Sequence, residues 1–146
     1  MVTWPEPRRD RQRSTDATPA TDVEINEAER RLGVEFPQDY RSFLLTRNGM
    51  EGWFGELYLQ LYSAGDVVGF TEAHGHQSTH PRLVFIGGDG ASEAVGYDFR
   101  KAEPPIILIN LVTAGWEDAL LQASSFTAFM MQRARGEEFN WDEGYG

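Results

Sequence analysis

The spacing of hydrophobic residues changes near residue 49, and this change limits the folds that the chain can adopt. Before it, apolar residues recur at helical spacing, and after it they alternate along extended segments. The strands are not interleaved with the helices that a parallel sheet requires. The order therefore predicts one α+β domain with a mainly antiparallel sheet, and a length of 146 residues suits a single domain.

Two helices are predicted at the start of the domain. Thr21 and Glu24 have the spacing of a capping box, and Gly33 suits the left-handed residue that ends a helix. Pro37 fits the first position of a second helix, which the Asn-Gly pair at 48–49 ends. The predicted buried positions of the two helices are Ile25, Ala28, Leu32, Tyr40, Phe43 and Leu44.

The extended patterns predict the sheet. Residues 57–61 alternate, which indicates a strand with one aliphatic face and one mixed face carrying Tyr58, Gln60 and Tyr62. Residues 83–86 and 94–99 predict a hairpin around glycines in a turn, where we expect positive φ angles. Residues 106–109 suit a strand buried on both faces, and the pattern of residues 63–71 is ambiguous.

A last helix is predicted to pack on the sheet. Ser124 or Ser125 caps it, and Gly136 follows it. We therefore divide the chain into a disordered leader (1–20), the α+β domain (21–136) and an acidic aromatic tail (137–146), which is either loose or docked. The predicted buried side of the helix consists of Phe126, Phe129, Met130 and Ala134.

The net charge of −10 is unevenly distributed. Four arginines and two acids fall in the first 13 residues, so residues 14–146 carry 9 bases, 21 acids and a net charge of −12. Such a body repels phosphate backbones and attracts basic surfaces. No apolar run approaches the ~20 residues of a membrane helix. We expect a cytoplasmic protein with a basic protein partner and no contact with nucleic acid or membrane.

No catalytic constellation emerges from the motifs. His74, His76 and His80 lie close together, but in a polar loop with little to hold metal ligands rigidly, so we predict no metal site. The glycines at 87–90 lack the lysine of a phosphate-binding loop, and no Gly-x-Ser-x-Gly motif or cysteine occurs. We therefore predict a binding module that is not an enzyme and uses no cofactor.

Short motifs near the start of the domain have a family counterpart. The first helix ends in Leu-Gly at 32–33, and a short link leads to Pro37. Tyr40 precedes Phe-Leu at 43–44, and Asn-Gly stands at 48–49. This block resembles the opening of the SUKH superfamily, which includes bacterial immunity proteins and fungal cell-wall synthesis regulators.

The resemblance extends over about residues 21–132, because the glycine turn at 86–90 with Tyr97-Asp98, and the closing helix from Ser125-Phe126, are also similar to that superfamily. It implies a compact α+β domain without catalytic activity that often neutralises a toxin, in many cases a nuclease, by direct binding. A regulatory or scaffolding module is the alternative. The arginine-rich leader and the tail have no counterpart in the resemblance.

Charge and resemblance together indicate where a partner would bind. A nuclease presents a basic cleft, and exposed acids on loops around the sheet could be attracted to it. Trp53 lies in a glycine-rich connection, where it serves either as a core residue or as the apolar anchor of the surface. The predicted partner-binding residues are Glu51, Trp53, Glu56, Asp66, Glu72, Asp89 and Glu93.

Overall fold

The fold is a six-stranded antiparallel meander with helices packed against it. A computed structural model describes residues 4–8, 18–74, 82–112 and 116–145. The strands follow chain order across the sheet, and every neighbouring pair is antiparallel. The predicted α+β class is confirmed. The elements are α1 (Asp22–Leu32), α2 (Gln38–Thr46), β1 (Met50–Phe54), β2 (Leu57–Leu61), α3 (Ala64–His74), β3 (Leu83–Gly88), β4 (Glu93–Asp98), β5 (Ile106–Asn110), a 3-10 turn (Trp116–Asp118), β6 (Leu120–Ala123) and α4 (Phe126–Ala134).

The sheet separates two hydrophobic clusters. The larger one lies on the inner face, where residues of all four helices meet alternate residues of the strands. The smaller one lies on the outer face and includes Leu83, Phe85 and Ile109. The strand β5 contributes to both clusters, as predicted for a strand buried on both faces.

The ends of α1 follow the predicted signals. The Glu24 amide donates to Thr21 Oγ1 at 3.1 Å, and the Thr21 amide donates to the Glu24 carboxylate at 2.9 Å. Gly33 adopts φ 69°, and its amide donates to the Glu29 carbonyl. The helix α2 begins one residue later than predicted, because Pro37 is its N-cap and not its first residue.

The β3–β4 hairpin is confirmed, but the predicted φ angles of its glycines are only partly correct. Gly90 in the turn has φ 80°, whereas Gly87 and Gly88 belong to β3. A side chain at Gly87 would place its Cβ 2.1 Å from the Gln60 carbonyl oxygen. Position 87 therefore requires glycine because β2 passes very close to it, at the point where the register between β3 and β4 shifts. The glycine is not needed for a left-handed turn.

Three elements differ from the predicted order. The ambiguous segment forms α3, which places a third helix between β2 and β3. The glycine-rich connection assigned to Trp53 is instead the edge strand β1, and β6 is an additional strand. Gly52 of β1 packs closely against Pro7. A Cβ atom at position 52 would lie only 2.7 Å from Pro7 Cβ, so the lack of a side chain allows this contact.

The helix α4 has the predicted cap but a different fourth buried residue. Ser125 Oγ accepts from the Ala128 amide at 3.1 Å. Phe126, Phe129 and Met130 are buried, whereas Ala134 is exposed and Arg133 is buried in its place. Arg133 continues the helical stripe seven residues after Phe126, and the rings of Phe129 and Phe139 lie 4.6 and 5.6 Å from its guanidinium carbon.

The N-terminal segment, Trp4–Arg8, is packed on the domain. Trp4 is 8% exposed, with its ring centroid 5.7 Å from that of Phe43 and 5.2 Å from that of Phe126. Arg8 exchanges both of its main-chain hydrogen bonds with Trp53. This part of the predicted leader therefore contacts the core through Trp4. The rest of 1–17 lies outside the described residues.

The C-terminal segment, residues 138–145, is docked, which was one of the two alternatives for the tail. Phe139 is buried, and Asn140 is held by two hydrogen bonds with the Gln122 side chain. Gly144 bridges Leu120 of β6. Terminal segments of the chain thus bond to the outermost strand at each edge of the sheet.

Candidate functional site: an aromatic and acidic surface

Strand β1 presents two of the predicted partner-binding residues. Met50, Gly52 and Phe54 are buried, while Glu51 and Trp53 alternate with them on the outer face. Trp53 is 37% exposed, so it is a surface residue and not a core residue. Its position is rigid, because its main chain bonds to Arg8 and its neighbour strand is β2.

Trp53 belongs to a group of aromatic side chains on the outer side of the sheet. Its ring centroid is 5.2 Å from that of Tyr58, its cross-strand partner in β2. Tyr62 follows on the same side, with its centroid 5.0 Å from that of Phe70 in α3. We call Trp53, Tyr58, Tyr62 and Phe70 the aromatic face. Aromatic side chains that are rigid and half-buried are frequent anchors of protein interfaces.

Acidic side chains border the aromatic face. Tyr58 donates a hydrogen bond to the Glu51 carboxylate. Burial and the nearby carboxylates of Asp66 and Asp89 raise the pKa of Tyr62. Glu51, Asp66 and Asp89 therefore lie near the two tyrosines.

The remaining predicted acids have other surroundings. Glu56 is exposed in the β1–β2 turn. Glu72 forms an ion pair with Arg31 of α1 at 2.6 Å, and Glu93 accepts from the Asn110 amide at 2.7 Å. Asp89 also has a structural contact, since its carboxylate accepts from two amides of the β3–β4 turn. Glu72, Glu93 and Asp89 thus each have a polar partner within the protein.

Most arginines of the described residues have contacts within the protein, whereas some of the acids form no ion pair there. Glu56 and Asp66 form no ion pair in the part of the chain that the structure describes. Arg133 is buried, and Arg82 donates to main-chain carbonyls. Ion pairs with acids of the same chain engage Arg30, Arg31, Arg41, Arg47, Arg100 and Arg135.

The histidine cluster is represented by one member. His74 ends α3 and stacks on Phe70 with a centroid distance of 3.8 Å, so it extends the aromatic face. His76 and His80 lie outside the described residues. Within residues 4–8, 18–74, 82–112 and 116–145, no group of three potential metal ligands is found.

The sequence interpretation missed the tyrosines and Phe70 as site residues. The signal for Tyr58 and Tyr62 was present, because the alternation of β2 already placed them together on its mixed face. Phe70 had no such signal, since it reaches the surface only through the packing of α3 beside β3.

The architecture is that of a helix-covered antiparallel meander with an ordered aromatic and acidic outer surface. The chain belongs to the SMI1/KNR4 family (SUKH-1), whose sequence profile matches residues 19–132. It is also 41% identical over 54 residues to the uncharacterized protein YnaB of Bacillus subtilis (strain 168). That similarity covers 37% of this chain and 35% of the relative, so it spans about a third of either protein.

None of the helices among the described residues is long and apolar enough to cross a membrane.

Proposed function

We propose that this protein is a non-catalytic immunity protein of the cytoplasm that binds and neutralises a toxin with a basic surface. Membership of the SUKH-1 family supports a binding role. The observation that carries the proposal is the aromatic face with Glu51, Asp66 and Asp89 around it. A nuclease must attract phosphates, so its active-site cleft is basic and complementary to such a surface.

The two parts of the surface have different roles. The acids increase the rate of association, because long-range attraction orients a basic partner before contact. Trp53 and Tyr58 supply apolar area that loses water in the complex, which slows dissociation. Substitution of the acids should therefore change mainly the association rate, and substitution of the aromatic residues should change mainly the dissociation rate.

The first experiment is co-purification of the protein with the product of the neighbouring gene, followed by a test of protection. Cells that express the neighbouring protein should survive only when this chain is present. If those cells also survive when this chain is absent, and the chain binds a protein of the host stably, the alternative of a regulatory or scaffolding module in the same family is favoured.

The second experiment measures association and dissociation rates of that complex at low and high salt. We expect Asp66→Lys to reduce the association rate by about 10-fold at low salt, and Trp53→Ala to raise the dissociation rate by about 10-fold or more. Glu27→Lys on α1, on the helical side of the domain, is the matched control and should change neither rate by more than about 2-fold. An association rate insensitive to salt would contradict electrostatic attraction.

A further inference from the structure

Arg133 of α4 is a charged side chain inside the domain. It is 1% exposed, although arginine is almost never fully buried without an acidic partner. Among the described residues no carboxylate pairs with it, and its Nε and Nη1 atoms have no hydrogen-bond partner. Its Nη2 atom donates to Gln132 Oε1 at 3.3 Å and to the Glu138 carbonyl at 3.1 Å. Most of the N–H donors of this guanidinium are therefore unused.

The burial of Arg133 is costly, because the charge loses its hydration without gaining a carboxylate. Burial lowers the pKa of Arg133 to about 10, as expected where the charged form is disfavoured. The rings of Phe129 and Phe139 offset part of the cost by cation–π contact. They do not replace the water that the unused donors have lost, so a state in which the guanidinium is hydrated is favoured at this position.

The C-terminal segment supplies much of the shell around the guanidinium. Within α4, Phe129 and Gln132 contact it. The other ring and hydrogen-bond contacts among the described residues come from the C-terminal segment, through the Glu138 carbonyl and the Phe139 ring. Displacement of the segment removes both of these groups, and water then reaches Arg133.

The C-terminal segment itself buries little apolar surface. Of residues 138–145, Phe139 is the buried one. The other contacts are mainly polar: Gln122 bonds to the main chain of Asn140, and the main-chain amides of Leu121 and Tyr145 donate across the β6 edge. Water can satisfy the same groups once the segment leaves. These contacts therefore oppose its opening less than apolar burial holds a core strand in place.

The two ends of the segment allow it to move without disturbing the domain. Gly136, just before it, has φ 74°, and glycine adopts new backbone angles there without the penalty of a side chain. Near the other end, Tyr145 donates to the buried carboxylate of Asp98. Arg100 also donates to both oxygens of that carboxylate at 2.9 Å, so Asp98 keeps a partner when Tyr145 leaves. Opening thus hydrates Arg133 and leaves no other charge unpaired at these contacts.

We propose that the C-terminal segment opens as a unit while the rest of the domain stays folded, and that the unpaired charge of Arg133 promotes this opening. The open state exposes the guanidinium together with the main-chain groups of Ala119 and Leu121 that the segment covers. The segment therefore controls whether this edge of the sheet is accessible. The proposal concerns the edge opposite β1 and does not rest on the proposed function.

Native-state hydrogen exchange of the intact protein, at urea concentrations below the unfolding transition, tests the opening. We expect the amides of Leu121, Asn140 and Tyr145 to exchange together, at least about 100-fold faster than the slowest amides of β4 and β5. Their exchange should depend only weakly on urea, because opening exposes little surface, whereas the slowest amides should show the full dependence of global unfolding. Exchange of the three amides only through global unfolding would overturn the proposal.

Substitutions test the role of the charge. Arg133→Met keeps an unbranched side chain that packs on the rings but removes the charge, so it should slow exchange of the three amides by about 10-fold or more. Arg133→Lys retains a charge and should not slow exchange. Arg30→Met, at an exposed ion pair of α1, is the control and should change exchange by less than about 2-fold.

Two results of the Arg133→Met measurement would contradict the proposal. Unchanged exchange would mean that the charge has no role in opening. Faster exchange would mean that the guanidinium holds the segment closed through Glu138 and Phe139. The urea dependence in the unmodified protein decides whether the segment opens separately even if a variant fails to fold. None of these measurements involves a toxin, so failure of the immunity role would leave their outcome intact.

Discussion

The two terminal segments cover opposite edges of the same sheet by different means. The N-terminal segment is anchored by an apolar ring, since Trp4 lies against Phe43 and Phe126 in the core. The C-terminal segment combines buried Phe139 with a polar network that reaches Gln122 and Asp98. An apolar anchor is insensitive to protonation, whereas a network that contains a buried carboxylate depends on pH.

This difference bears on function because the covered edges are next to different surfaces. The N-terminal segment bonds to Trp53, so it supports the aromatic face directly. The C-terminal segment bonds to Gln122 of β6, the strand that leads into α4. Changes to the N-terminal segment are therefore expected to affect the aromatic face more than changes to the C-terminal segment.

The largest effect is expected for Trp4→Ala. It removes a large buried ring from between α2 and α4, so the free energy of unfolding should fall by about 4 kcal/mol. Urea denaturation at neutral pH measures this loss. Trp141→Ala is the control, because Trp141 is 51% exposed and its removal should cost less than about 1 kcal/mol. Equal losses would show that the N-terminal segment is not anchored by its tryptophan.

The second effect is on the apolar part of the C-terminal segment. Phe139→Ala should lower the free energy of unfolding by about 3 kcal/mol, because Phe139 is buried against Arg133 and the inner core. Hydrogen exchange should accelerate at Leu121 and Tyr145, whose amides bond across this edge. Exchange at Trp53, on the opposite edge, serves as the internal control and should change less.

A smaller effect separates the polar network from the apolar anchor. Gln122 makes two hydrogen bonds with the main chain of Asn140. Gln122→Ala removes both, and we expect a loss of about 2 kcal/mol in urea denaturation. Thr46→Ala deletes a single hydrogen bond on the exposed side of α2 and should cost less than half as much. A loss for Gln122→Ala no greater than that of the control would mean that the segment is held by Phe139 alone.

The smallest effect is pH-dependent. Burial opposes ionisation of Asp98, but hydrogen bonds from Arg100 and Tyr145 outweigh it and hold the pKa of Asp98 below its ordinary value. The stabilisation is therefore complete above the unfolded pKa of about 4, and it is lost as the pH falls through the lower folded value. Tyr145→Phe removes one of the bonds and should cost about 1 kcal/mol at pH 7 and less at pH 2.

The matched variant for this last prediction is Tyr58→Phe, which removes a hydrogen bond to Glu51 at the other edge of the sheet. Urea denaturation at pH 7 and at pH 2 measures the loss in free energy of unfolding for both variants. A loss for Tyr145→Phe that is the same at both pH values would contradict the role of the Asp98 carboxylate. Trp4→Ala should show no such dependence, because no titratable group contributes to its contacts with Phe43 and Phe126.

Local signals predicted the elements that depend on neighbouring residues. The capping box at Thr21 and the cap at Ser125 form as their spacing indicates, because each involves atoms within one helical turn. The alternation in β2 indicated its two faces. In contrast, β1 and α3 were not predicted. The glycine at position 52 suggested a loop, but it allows close contact with Pro7 within a strand, and the sequence of α3 is only weakly amphipathic.

The candidate surface was predicted in part. The excess of acid was evident from composition; of the predicted residues, Trp53 belongs to the aromatic face, and Glu51, Asp66 and Asp89 lie near its tyrosines. Which acids remain available was not evident, because Glu72 and Glu93 find partners far away in the chain. Composition counts charges, whereas ion pairs depend on distances between elements.

The class of fold, the helix caps and the negative charge could be predicted from the amino-acid sequence, because each follows from residues close together in the chain or from simple sums. The contacts of the folded chain, in contrast, place Trp4 in the core and leave the buried Tyr97 hydroxyl without a hydrogen-bond partner among the described residues. The physical reason is that burial and hydrogen bonding are properties of contacts between distant segments, and no local pattern encodes which segments meet.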